Sequence, residues 1–105
     1  MNGFAAEGNE QRDAEQHGIR LLADREHSRL EMRRKLLARD YDPAAVEEAL
    51  QSLEKQGLLS DERFTEQYIN VLKRKGFGPL RMRALLRERG INDTMIHEWV
   101  DNRED

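Results

Sequence analysis

The sequence predicts an all-α fold: two tandem three-helix modules, about six helices and no strands. Three observations carry that prediction. Apolar residues recur at helical spacing and nowhere alternate with polar ones. Capping residues, Gly and Pro punctuate the chain at short intervals. The pattern also returns when the chain is slid along itself by fifty positions.

Residues 1–11 carry two Gly, two Asn and little that is apolar apart from Phe4, and read as a disordered tail. A first helix is expected from about Arg12 to Arg25, with Ile19 and Leu22 on its apolar stripe. The second starts at Ser28, where Ser28 and Glu31 form the S-x-x-E capping box, and holds Met32, Leu36 and Leu37. The third has Asp42 as N-cap and Pro43 at the first helical position, where the missing N–H costs nothing. Val46, Ala49, Leu50 and Leu53 form its stripe, and Gly57 ends it.

The fourth helix starts at Ser60, with Asp61 and Glu62 matching the dipole. Phe64, Tyr68, Ile69 and Leu72 line one face, and Gly76 stops it after a basic last turn. Gly78 caps the fifth helix and Pro79 opens it, with Met82, Leu85 and Leu86 inside and Gly90 at its close. Asn92 caps the sixth, which carries Met95, Ile96, Trp99 and Val100 and runs into an acidic tail. Trp99 reads as core. Phe77, between two glycines, reads either as a plug in the seam between modules or as a contact for a partner.

The repeat pairs Ile19 with Ile69, Leu22 with Leu72, Leu30 with Leu80, Met32 with Met82 and Leu36 with Leu86. Arg33 and Arg39 fall on Arg83 and Arg89, and the cap Ser28 falls on Gly78. Coincidence of caps, breaks and Arg positions marks a duplication rather than chance amphipathicity. The expected modules span 12–57 and 58–105. Short helices are marginal alone, so each must bury its stripe on its neighbours, and the two units are expected to share an interface.

Composition excludes several classes. Of 105 residues, 37% are charged and 37% hydrophobic, yet the net charge is only -3, which fits an interleaved helical surface. Without Cys there is no disulfide, thiolate metal site or Cys nucleophile. No stretch approaches the roughly 20 apolar residues of a membrane helix. Met1 to Glu10 has neither the basic head nor the apolar run of a signal peptide, and a cytoplasmic location is expected. His17, His27 and His97 stand far apart in the sequence, so no metal site is expected and exposed helix positions are the simpler reading. Gly76-Phe77-Gly78-Pro79 lacks the Lys–Ser pair of a phosphate loop. No carboxylate sits in an apolar stretch that would tune it for acid–base work. The reading is therefore of a non-enzyme without cofactor or small-molecule substrate.

Charge placement is more informative. From Lys73 to Ile91 the chain is net +6, which leaves -9 for the remainder. A second basic cluster, Arg29 to Arg39, covers the matching helix of the first unit. Any one Arg reads as an ordinary solvated or paired residue. The two clusters together read as a binding face for a polyanion, either nucleic acid or an acidic protein surface, because the guanidinium fork suits phosphate and carboxylate alike. The candidate contact residues are Arg29, Arg33, Arg34, Lys73, Arg74, Lys75, Arg81, Arg83 and Arg87.

The run from Arg25 to Leu36 (REHSRLEMRRKL), then Tyr41-Asp42-Pro43, then Gln56 to Phe64 (QGLLSDERF), then Gly76 to Arg83 (GFGPLRMR), resembles the RecX family over about residues 12 to 102. What the resemblance implies is a bacterial, non-enzymatic regulator of the RecA recombinase, acting in homologous recombination and DNA repair. It further implies binding along the groove of the RecA–DNA filament, restraint of its growth and ATP-dependent activities, and in some members contact with DNA. Family members usually continue into a third three-helix module, whereas this sequence reaches Asp105 after two. A direct DNA-binding module and a helical adaptor unrelated to recombination are the alternatives.

Overall fold

Side chains that satisfy free backbone amides set the start of most helices. The structure, a computed structural model, describes residues 3–101. Helix α1 spans Gly3–Asp24, α2 Arg29–Ala38, α3 Pro43–Lys55, α4 Asp61–Arg74, α5 Pro79–Glu88 and α6 Asp93–Ile96; a π-helical turn, His97–Asp101, continues α6. Among the described residues there is no strand. The acidic end beyond Asp101 lies outside them.

At the start of α2, the Ser28 hydroxyl accepts the Glu31 N–H at 3.1 Å and the Glu31 carboxylate accepts the Ser28 N–H at 3.0 Å, the reciprocal pair the sequence predicts. Asp42, Ser60 and Asn92 each accept an amide of the helix they open. The C-terminal ends depend on left-handed residues: Gly57, Gly76 and Gly90 at φ 76°, 85° and 81°, and Asp40 at 67°.

Helix α1 departs from expectation. It begins at Gly3 rather than near Arg12, so residues 3–11, read from sequence as a tail, continue the helix. Ala5, Ala6 and Glu7 are strong helix formers. The Glu10 carboxylate also accepts the Asp42 N–H at 2.7 Å, which ties α1 to the start of α3.

The fifty-residue repeat is a structural repeat. Helices α2 and α5 occupy equivalent positions from first residue to last, α3 and α6 start at equivalent residues, and left-handed Asp40 falls on left-handed Gly90. Each module has its own core. Met32, Leu36, Val46, Ala49, Leu50, Leu53 and Leu59 form the first with Ala14. Phe64, Ile69, Leu72, Met82, Leu86, Ile91 and Ile96 form the second. Trp99 packs against the second core as expected, and so does Phe77, which is not in the seam.

Among the described residues, no buried one belongs to both cores. The modules meet instead at a seam of few, mostly polar contacts, and the molecule is elongated, 57 × 24 × 23 Å. At the seam the Arg29 N–H donates to Asp61 at 2.7 Å, Arg63 Nε to Glu26 at 2.9 Å and Arg89 Nη1 to Glu31 at 3.0 Å. An apolar contact of the seam is Leu30, seated against Gly90. A Cβ on Gly90 would lie 2.8 Å from the Leu30 Cβ, so only glycine fits there.

Two substitutions separate backbone conformation from packing. Gly57→Ala meets nothing within 4 Å and is expected to cost about 1 kcal/mol from its positive φ alone. Gly90→Ala adds the collision with Leu30 and is expected to cost about 2–3 kcal/mol. Urea unfolding of the two variants checks the order; equal losses would mean that the Leu30 contact carries no weight.

Candidate functional site

Two of the three histidines are buried, which corrects the expectation of exposed positions: His27 is 1% exposed and His17 7%. Lys35 Nζ lies 2.9 Å from His27 Nε2, and an ammonium can only donate, so Nε2 accepts and Nδ1–H donates to the Arg25 carbonyl at 3.1 Å. Burial, with Arg25 and Lys35 nearby, holds the His27 pKa below its ordinary value despite that carbonyl. His17 faces Arg39 through Nε2 at 3.4 Å and Tyr41 edge-on, and its Nδ1 is buried without a partner. Burial first, then Arg39 and Arg20, lowers its pKa as well. Both signals were present in the sequence. The repeat sets His27 on Phe77, a core-packing position, and His17 stands one helical turn from Ala14 on the buried stripe of α1. Among the described residues no three His, Asp or Glu side chains gather as a metal site.

The nine candidate cations divide into two groups. Arg29 donates to Glu54 at 3.1 Å and Glu47 at 3.3 Å, and Arg33 donates to Glu47 at 2.8 Å. These two, sharing a face of α2 as their spacing predicts, clamp α2 to α3. Arg83 pairs with Asp101, and Arg87 with Asp93 at 3.1 Å. Arg81 lies over the Phe77 ring, 4.1 Å from its centre. Arg34, Lys73, Arg74 and Lys75 are exposed, and among the described residues none makes an ion pair.

What the structure brings together is a smaller set. An open groove of about 650 Å³ runs along the seam between α2 and α5, lined by Leu30, Glu31, Arg34, Lys35, Arg87, Glu88 and Arg89. Four cations from corresponding helices of the two modules thus face one space, against two carboxylates. Arg34 and Arg87 were among the candidates; Lys35 and Arg89 were not. Lys73, Arg74, Lys75, Arg81, Arg29, Arg33 and Arg83 do not line it.

Glu31 organises the floor of the groove. Its carboxylate accepts Arg25 through two nitrogens at 3.0 and 3.2 Å, the Ser28 N–H, and Arg89. Burial opposes its charge, but these donors outweigh that and hold its pKa below the usual carboxylate value. Arg89 also covers the ring of Tyr68 at 4.7 Å, and Tyr68 stacks on Phe64 at 5.1 Å. Sequence reading missed this cluster because its partners are far apart in the chain: Glu31 and Arg89 are 58 residues apart.

Comparison with known proteins agrees with this architecture. Two family models match, RecX, first three-helix domain, over residues 14–53, and RecX, second three-helix domain, over residues 60–98. Regulatory protein RecX of Halorhodospira halophila is 41% identical over 86 residues, 82% of this chain and 53% of its own length. Its counterpart in Pseudomonas fluorescens strain SBW25 is 45% identical over 71 residues, 68% of this chain and 46% of its own length. The chain spans about half the length of the curated relatives it matches. A crystal structure of regulatory protein RecX superposes with a TM-score of 0.84 at 23% identity, covering 92% of this chain and 48% of that one, and so shares the fold.

The buried histidines predict a pH dependence of stability. A group whose folded pKa lies below its unfolded value stabilises the fold above the unfolded value, and that stability is lost as pH falls below it. For both histidines the loss begins near their ordinary value of 6.5. Asp61, raised above its ordinary 3.8 by burial, acts in the opposite sense but only at lower pH. The urea midpoint is expected to fall between about pH 7 and 5.5 and to flatten in His17→Gln/His27→Gln. A slope unchanged by the double substitution would assign the effect elsewhere.

Proposed function

The chain belongs to the RecX family, whose members are regulatory proteins, and on that premise we propose that it is a non-enzymatic regulator that docks on the RecA recombinase filament and restrains its activity. The observation that carries the reading is the groove between α2 and α5, where Arg34, Lys35, Arg87 and Arg89 converge from both modules. A recombinase filament on DNA offers acidic protein surface and phosphate, and guanidinium forks suit both. Lys73, Arg74, Lys75 and Arg81 form a second exposed basic region at the α4–α5 junction, which we assign to the periphery of the same contact. Arg29, Arg33 and Arg83, held by Glu47, Glu54 and Asp101, act by keeping the helices in register rather than by reaching the partner.

Direct DNA binding is the second reading, favoured by the exposed cations that make no ion pair. Two features weigh against it. The chain is net negative. The rings nearest the basic regions are already covered, Phe77 by Arg81 and Tyr68 by Arg89, so they are not free to stack on bases.

Co-sedimentation with RecA filaments on single-stranded DNA, with bare DNA as control, separates the two. The chain is expected to pellet with filaments and to lower their ATPase, and Arg34→Glu/Arg87→Glu to weaken both by about tenfold without loss of helicity. If neither ATPase nor filament length responds to excess protein, the regulatory reading fails. Equal pelleting with bare DNA, with a log affinity–log salt slope near about -4.5 for roughly five phosphate contacts, would support the DNA reading instead.

A further inference from the structure

Every groove cation except Arg34 already has an internal partner. Lys35 faces His27, Arg87 faces Asp93, and Arg89 is held by Glu31. An anion entering the groove must compete with those partners, and the three competitions differ in consequence. His27 lies on the module that carries Lys35, and Asp93 on the module that carries Arg87. Of these three pairs, only Glu31–Arg89 crosses the seam. We propose that Arg89 is a latch: Glu31 acts as a built-in anion that keeps the seam closed, and a polyanion in the groove takes Arg89 from it and changes the angle between the modules. The inference rests on the groove being the docking surface.

The geometry makes the exchange inexpensive on one side. When Arg89 leaves, Glu31 keeps both nitrogens of Arg25 and the Ser28 N–H, so its carboxylate is not left unsatisfied. Arg89 has no second carboxylate among the described residues, so the incoming anion is its natural replacement. The modules can respond because they share no core. Once Arg89 is released, the ties that remain include Arg63 to Glu26 and to the Gly57 carbonyl, the Arg29 amide to Asp61, and Leu30 on Gly90. Competition for one guanidinium thereby couples occupancy of the groove to the shape of the whole molecule.

The test uses the full chain and inorganic polyphosphate as the anion. Because the sequence has no Cys, Glu48→Cys and Asn70→Cys, both on exposed positions, place a dye pair with one dye on each module. Saturation with polyphosphate is expected to change the dye separation. Glu31→Gln is expected to show that changed separation without polyphosphate and to bind it at least about fivefold more tightly. Gln retains the amide-accepting oxygen of the capping box, and far-UV circular dichroism checks that α2 survives. Polyphosphate binding with no change in separation overturns the latch, and so does Glu31→Gln binding no more tightly. If polyphosphate does not bind at all, the groove as an anion site falls with the latch, while a positive ATPase result in the filament experiment would still stand through another surface. Should Glu31→Gln fail to fold, the separation measured in the chain with Glu31 intact decides alone.

Discussion

Two small cores joined without a shared buried residue is the constraint on which the rest of this structure depends. Each module has fewer than fifty residues, a size at which one hydrophobic core is marginal. Neither can spare apolar side chains for a broad common interface. The join is therefore made largely from what remains: hydrogen bonds between charged or amide groups, and a leucine seated on a glycine. A polar seam leaves a cleft, and the helices flanking that cleft are the two most cationic in the chain. The groove follows from the weakness of the join.

Local chemistry wrote much of this into the sequence. Ser28, Asp42, Ser60 and Asn92 announce helix starts because capping is decided within three residues. Gly57, Gly76 and Gly90 announce stops because a left-handed backbone favours glycine. The repeat was legible because equivalent helices need equivalent stripes. What was not legible was decided between distant residues. Arg33 and Glu47 are 14 apart, and Arg29 and Glu54 are 25 apart. No periodicity says which of many carboxylates will claim a given arginine. For the same reason the basic face read from the sequence was too broad. It counted charges, whereas the fold consumes several of them in holding α2 to α3 and α5 to the π-helical turn.

The two buried histidines show a different failure. Residue type argued for exposure, while position argued for burial, and position decided. A neutral imidazole fills the place that Phe77 takes in the second module because Lys35 and a main-chain carbonyl satisfy both its nitrogens. The module that holds it thus has a more polar wall beside the groove than its sister.

Asp40 stands where the second module has Gly90, and its side chain would obstruct a neighbour's leucine at the spot where Leu30 finds room. Beside it, Arg39 would confront Arg81, the residue that replaces Glu31 in the repeat. Leu80, 75% exposed, is the counterpart of Leu30 in the repeat. The repeat thus keeps the helices equivalent while leaving the two faces unlike, and one position, glycine in the second module and aspartate in the first, decides which face can seat a leucine.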